Sequence, residues 1–257
     1  MGNSGQLDQP IFRQLGVLLF RPKRQSSIPR KPNITRTNAM SLHDHGYDLI
    51  QTDIPDYSLN ALRDSLFSEI CAGERCLLDP PLVREIAIQL KTKLIEAGHL
   101  CEKAVAIQAI AFNKTAATNW KVAWHQDLMF PFFEPVSTAG YDLPCRKNGV
   151  DYARPPSSVL SQLLAVRLHL DDCEESSGPL RISPGTHRAG ILRSAEIAAQ
   201  VARHGDFTCV ARKGQALLMR PLTLHSSSQA TAPKNRRVLH LVYHSGDPMP
   251  ELWHRSV

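Results

Sequence analysis

No apolar run in this chain approaches the roughly 18–20 residues that a bilayer-spanning helix needs, so an integral membrane protein is not expected. The six cysteines (Cys71, Cys76, Cys101, Cys145, Cys173 and Cys209) include no C-x-x-C pair, which argues against a thiolate zinc site. Reduced thiols in a cytoplasmic protein are the expectation. A secretory leader is missing as well, because Gly16 to Phe20 is too short an apolar core and runs straight into Arg21-Pro22. There is no internal repeat and no Gly-rich phosphate cradle.

What is present describes one ordinary globular domain: 257 residues, 42% hydrophobic and 21% charged, enough to enclose a core. The net charge of +6 is unevenly placed. Residues 1–40 hold seven basic side chains (Arg13, Arg21, Lys23, Arg24, Arg30, Lys31, Arg36) against Asp8 alone, and the rest of the chain is balanced. The basic character thus belongs to the first 40 residues, and nucleic-acid binding by the folded body is not expected. We expect 1–40 to be a disordered basic tail, rich in Pro, Ser, Asn and Arg, and 41–257 to be the domain. A true start at Met40 and an organelle-targeting leader are the alternatives.

The apolar spacing predicts a helix over 58–72 (Leu59, Leu62, Leu66, Ile70) and a second over 82–97 (Val83, Ile86, Leu90, Leu94), stopped by Gly98. Ala104 to Phe112 then reads as a strand, followed by a turn into the segment Trp120 to Asp127. Residues 130–158 carry five prolines and two glycines and read as a long loop, a lid or substrate loop by its position. Val159 to Leu170 is a strand pattern, with Arg167 and His169 alternating with Val166, Leu168 and Leu170. Pro179 to Ser183 is a short strand, and Ser194 to Arg203 a helix capped by Ser194. Phe207–Val210, Gln215–Met219, Leu222–His225 and Arg237–His244 read as further strands. Two helices followed by many short strands predict a mainly β sandwich or barrel with helices on one side.

The chemistry sits in Trp124-His125-Gln126-Asp127-Leu128. An imidazole and a carboxylate two residues apart on an extended segment point to one side. With a distant second imidazole, His225, they form the two-His, one-carboxylate set of non-haem Fe(II) oxygenases, which leaves part of the coordination sphere open. Arg236, eleven residues further on, offers a planar fork for a carboxylate. The H-x-D pattern alone is weak, because it recurs at His169/Asp171 and His204/Asp206. The latter pair flanks Gly205 in an apparent turn; the former ends a strand and is the serious rival.

The neighbouring residues separate them. Trp124 to Leu128 with Phe130-Pro131-Phe132, then Leu170-Asp171-Asp172 leading to Gly178-Pro179-Leu180-Arg181-Ile182-Ser183-Pro184-Gly185-Thr186-His187-Arg188, then His225 to Gln229 and Arg236-Arg237, together resemble the phytanoyl-CoA dioxygenase family over roughly residues 42–250. The resemblance implies a double-stranded β-helix, the cupin-like jelly roll. It implies an Fe(II)- and 2-oxoglutarate-dependent dioxygenase that consumes O2, releases succinate and CO2, and oxidises a C–H bond of a small molecule. His125, Asp127 and His225 would hold the iron. Arg236 would grip the far carboxylate of 2-oxoglutarate, helped by Ser227 and by Lys114.

Alternatives stand beside these roles. Arg237 could replace Arg236, since strand neighbours face opposite ways. Arg167 and His169 could meet substrate inside the barrel or pair with Asp171 and Glu174. Gln126, Trp120, Trp124, His187, Arg188, His240 and His244 read as structural or surface residues. A non-catalytic cupin-like module, or a zinc hydrolase or lyase with the same triad, is the competing function; the latter would leave Arg236 without a job.

Overall fold

The structure, a computed structural model, describes residues 42–67 and 73–257. In chain order the helices are α1 (Leu42–His45), α2 (Asp56–Leu66), α3 (Pro81–Glu96), α4 (Ser157–Leu160) and α5 (Ser194–His204). The strands are β1 (Tyr47–Gln51), β2 (Gly73–Arg75), β3 (Val105–Lys114), β4 (Val122–His125), β5 (Phe130–Phe132), β6 (Asp142–Lys147), β7 (Val150–Arg154), β8 (Leu163–His169), β9 (Leu180–Ile182), β10 (Phe207–Cys209), β11 (Gln215–Met219), β12 (His225–Ser227) and β13 (Arg236–His244). Among the described residues no helix is long and apolar enough to cross a membrane.

The strands form a six-stranded sheet in the order β1-β11-β8-β13-β3-β2, a four-stranded sheet β10-β9-β12-β4 and a three-stranded sheet β5-β7-β6. Every pairing is antiparallel, as expected of a jelly roll. Alternation along the long strands sends side chains to two cores. Ala109, Ala111, Leu164, Val166, Leu168, Leu239, Leu241 and Tyr243 pack outward on the helices. Ala165, Leu217, Met219 and Val242 point inward, against Ile182, Leu180, Phe130 and Phe132.

Helix α3 supplies the outer layer because Val83, Ile86, Leu90 and Leu94 recur on one stripe, and all four are fully buried. Pro81 opens it at a position where a missing N–H costs nothing. Gly98, at φ +73°, closes it, with the His99 N–H returning to the Leu94 carbonyl. The Tyr243 hydroxyl donates to the Ala87 carbonyl at 2.8 Å and pins the helix to β13.

Five expectations need correction. Val159 and Leu160, expected in the strand over 159–170, belong to α4, and β8 starts only at Leu163. The stretch 130–158 is not an open loop: it holds β5, β6, β7 and α4, with Asn148 and Gly149 both at positive φ making the tight turn between β6 and β7. The strand expected at Leu222–His225 begins only at His225, because Pro221 and Leu222 turn the chain back, with the Thr223 N–H donating to the Arg220 carbonyl. The cap of α5 is Arg193, not Ser194; the Arg193 N–H donates to the Glu196 carboxylate at 2.8 Å, and Ser194 is already helical. Finally, α2 spans Asp56–Leu66, with Leu59 and Leu62 buried. Expectations for residues 1–40, and for the helix over 68–72 with Ile70 and Cys71, lie outside the described residues.

Candidate metal centre and anion pocket

His125 ends β4 and His225 begins β12, and the two are register partners across that pair, with ring centroids 4.1 Å apart. The Nδ1 of His125 lies 2.8 Å from the Ala123 carbonyl, and the Nδ1 of His225 lies 3.0 Å from the Thr223 carbonyl. A carbonyl can only accept, so each Nδ1 carries a proton and each ring turns its Nε2 towards Asp127. Those Nε2 atoms stand 3.7 Å and 3.6 Å from the two carboxylate oxygens of Asp127. One ligand atom from each of the three residues fits within 4.8 Å of the others, spacing suited to a shared cation. Oriented imidazoles whose second nitrogens are hydrogen-bonded are what a metal site requires.

Electrostatics agree with that donor set. Burial opposes ionisation of Asp127, but His225, His125, His240 and Arg167 outweigh it and hold its carboxyl below the usual range. Burial, with His125 beside it, drives His225 down to about 4, so the ring is neutral at physiological pH. Asp127 is positioned by its own backbone, whose N–H donates to the Pro221 carbonyl at 2.9 Å. Between the two, Gln126 faces away and cross-links three loop segments. Its amide donates to the Gly190 and Leu222 carbonyls, each at 2.7 Å, and accepts from the Leu192 N–H at 2.9 Å.

The second part of the site is cationic. Arg236 and Lys114 are register partners on β13 and β3 and are both buried. The Arg236 Nη1 donates to the Gly178 carbonyl at 2.8 Å, and its buried Nε has no partner among the described residues. The Lys114 ammonium donates to the Ser227 hydroxyl oxygen (2.8 Å) and the Ser228 carbonyl (2.6 Å), under the Trp120 ring. Burial, then the Arg236 charge, lowers Lys114 to about 7. Arg237 points the other way and is occupied: its Nε and Nη2 reach Asp171 at 2.7 and 2.8 Å.

Arg167 and His169 face the barrel interior from β8 and are both buried. They do not pair with the acids once open to them, since Asp171 takes Arg237 and Glu174 takes Lys234. The Arg167 Nη1 instead donates to the Nδ1 of His240 at 3.3 Å, and its guanidinium lies 5.3 Å from the Phe112 ring centroid. Burial and the Arg167 charge put both His169 and His240 at about 3. His240 is thus an interior residue, which the sequence leaves between a core and a surface role. Its even spacing from Arg236 on one strand was the available signal, since residues four apart on a strand share a face. The other H-x-D pairs do not form metal clusters: Asp206 holds Arg181, and the Nδ1 of His169 has no partner among the described residues. Trp124 packs under Arg181 at 5.6 Å.

Comparison with known proteins follows the same lines. Solved structures that share the fold include the following three. EctD from S. alaskensis, solved with 2-oxoglutarate and 5-hydroxyectoine, has a TM-score of 0.58 at 16% identity, covering 86% of this chain and 79% of its own. HygX from Streptomyces hygroscopicus, with nickel and 2-oxoglutarate bound, gives 0.54 at 14% identity, covering 79% and 83%. SnoK, a non-haem α-ketoglutarate-dependent carbocyclase from nogalamycin biosynthesis, gives 0.57 at 13% identity, covering 84% and 86%. No curated protein matches the sequence significantly. The phytanoyl-CoA dioxygenase (PhyH) family matches residues 18–238. The chain therefore belongs to the phytanoyl-CoA dioxygenase family, and with it to the Fe(II)- and 2-oxoglutarate-dependent oxygenases that act on small molecules.

Proposed function

We propose that His125, Asp127 and His225 hold the ferrous ion and that Arg236 anchors 2-oxoglutarate by its far carboxylate. The observations that carry this reading are the convergence of two Nε2 atoms and one carboxylate and, on β13, a buried guanidinium, Arg236, whose Nε has no partner among the described residues. The donor set fits iron: two imidazoles and a carboxylate would cover one face of an octahedron. When bound, the ion and co-substrate supply oxidative decarboxylation of 2-oxoglutarate, coupled to oxidation of a C–H bond by O2.

The residues of the chain do the rest. Ala123 and Thr223 carbonyls keep both imidazoles in the metal-binding tautomer. Gly178 fixes the Arg236 fork from one side, and Lys114 with Ser227 places a second cation and a hydroxyl near the same carboxylate. Phe130, Leu180, Ile182 and Met219 make a dry wall that excludes water from reactive species. Arg167 and His169, further along the wall, would meet the substrate, which we read as a small molecule and not a nucleic acid. A cytoplasmic location is part of the proposal. In its support, Cys76, Cys101, Cys145, Cys173 and Cys209 are all unpaired, as a reducing compartment would keep them.

The test is anaerobic reconstitution with Fe(II), followed by titration with 2-oxoglutarate. A charge-transfer absorption band should develop in the wild type and be lost in His125→Ala. Arg236→Ala should keep iron and bind 2-oxoglutarate weakly, whereas His169→Ala should keep both. Iron lost from His169→Ala but held by His125→Ala would falsify the ligand assignment.

A further inference from the structure

The barrel interior gathers three buried cationic side chains, Lys114, Arg167 and Arg236, around a single half-buried carboxylate, Asp127. Asp127 is only partly buried and no other Asp or Glu among the described residues is buried, so the three cations outnumber the acid they surround. In the reading just given, the two carboxylates of 2-oxoglutarate go to Arg236 and to the metal. Arg167 is left over. It springs from β8 opposite His240, and His240 stands four residues from Arg236 on β13, about 13 Å along the strand. Arg167 is thus rooted at a separate place on the wall from the co-substrate anchor.

Its surroundings hold a cation without neutralising it. The ring of Phe112 faces the guanidinium, and the neutral His240 accepts one of its N–H groups. Beside it on the same face, the buried Nδ1 of His169 has no partner among the described residues. Asp127 acts on Arg167 only at a distance and makes no ion pair with it within 4.0 Å. A buried guanidinium costs several kcal/mol of hydration unless an anion offsets it. A planar fork with aimed N–H groups binds carboxylates and phosphates best.

We propose that the substrate of this enzyme carries an oxyanion, a carboxylate or a phosphate ester, and that Arg167 is its specificity-determining contact, aligned by His240 and Phe112. His169 completes the pocket as a neutral hydrogen-bonding group. The inference rests on the metal and co-substrate reading above and names the class of molecule that reading leaves open.

The experiment uses the full chain loaded anaerobically with Fe(II) and 2-oxoglutarate. Three probe sets are added in turn: straight-chain and aryl carboxylic acids, phosphate monoesters of the corresponding alcohols, and the primary amides of the same acids. Binding is read by calorimetry and by perturbation of the charge-transfer band. The expected result is that acids or phosphate esters bind and amides do not, and which anion binds identifies the source. Arg167→Gln should weaken that binding about thirty-fold or more while the 2-oxoglutarate band still forms. Arg167→Lys should recover part of it. The band also certifies that each variant is folded. Equal binding by amides, no binding by any anion, or unchanged anion affinity in Arg167→Gln would overturn the proposal. So would loss of the band in that variant, which would place Arg167 in the co-substrate site. A wild type that never develops the band would instead refute the underlying metal reading.

Discussion

Lys114 and Ser227 meet inside the barrel, the ammonium donating to the hydroxyl oxygen at 2.8 Å from a side chain that is fully buried. The contact joins the last residue of β3 to the strand that begins with His225, so the anion pocket and the metal corner share a support. An ammonium in this position is held at the expense of its own hydration. Its consequences are measurable in the ligand-free protein.

Burial, above all, pulls the Lys114 ammonium of the folded chain down to about 7, against about 10.4 in an unfolded chain. Between those values the unfolded chain binds a proton that the folded one does not, so rising pH favours the fold across that window. Lys114→Met removes this contribution. The wild-type-minus-variant difference in unfolding free energy should therefore rise from about pH 7 to about pH 10, measured by denaturant titration at spaced pH values. A difference that stays flat or falls over that range contradicts the burial argument.

Gly178 stands at φ +65°, and a Cβ there would lie 2.6 Å from the Ser228 carbonyl oxygen. Its own carbonyl accepts from Arg236. Gly178→Ala should cost about 1–3 kcal/mol of stability and weaken 2-oxoglutarate binding while leaving Fe(II) affinity near wild type. Thermal denaturation and anaerobic titration check the two halves separately. Undiminished co-substrate affinity would mean that the Gly178 carbonyl does not position Arg236.

Arg237→Ala tests the other face of the same strand. Losing its paired hydrogen bonds to Asp171 should lower stability by about 1.5–3 kcal/mol and leave 2-oxoglutarate affinity within about three-fold of wild type. Arg236→Ala should show the reverse emphasis. Co-substrate binding that collapses in Arg237→Ala would exchange the two roles.

The comparison of sequence and structure divides along the kind of signal involved. Leu90 and Leu94 could be placed in a helix, and Val166 and Leu168 on one face of a strand, because local periodicity encodes both. The triad was legible because His125 and Asp127 are close in sequence and their flanking residues resemble a known family. What periodicity cannot say is which face of a strand looks into the barrel, and so the sequence leaves His240 between a core and a surface role and does not reveal its partner Arg167. The β6–β7 hairpin was obscured by the five prolines around it, yet Asn148-Gly149, the pair that best suits a tight hairpin turn, stood between its strands. The late start of β12 depends on tertiary bonds from Thr223 to Gly46 and from Leu224 to Thr186, which no local pattern carries.

The Gln126 amide, clamped to Gly190, Leu192 and Leu222, has a practical corollary for spectroscopy. A corner braced by peptide groups, with imidazoles already turned the right way, needs little rearrangement to accept a cation. Redox-silent or paramagnetic substitutes such as Zn(II), Co(II) or Ni(II) should therefore enter without distorting the chain, giving stable proxies for the air-sensitive native ion.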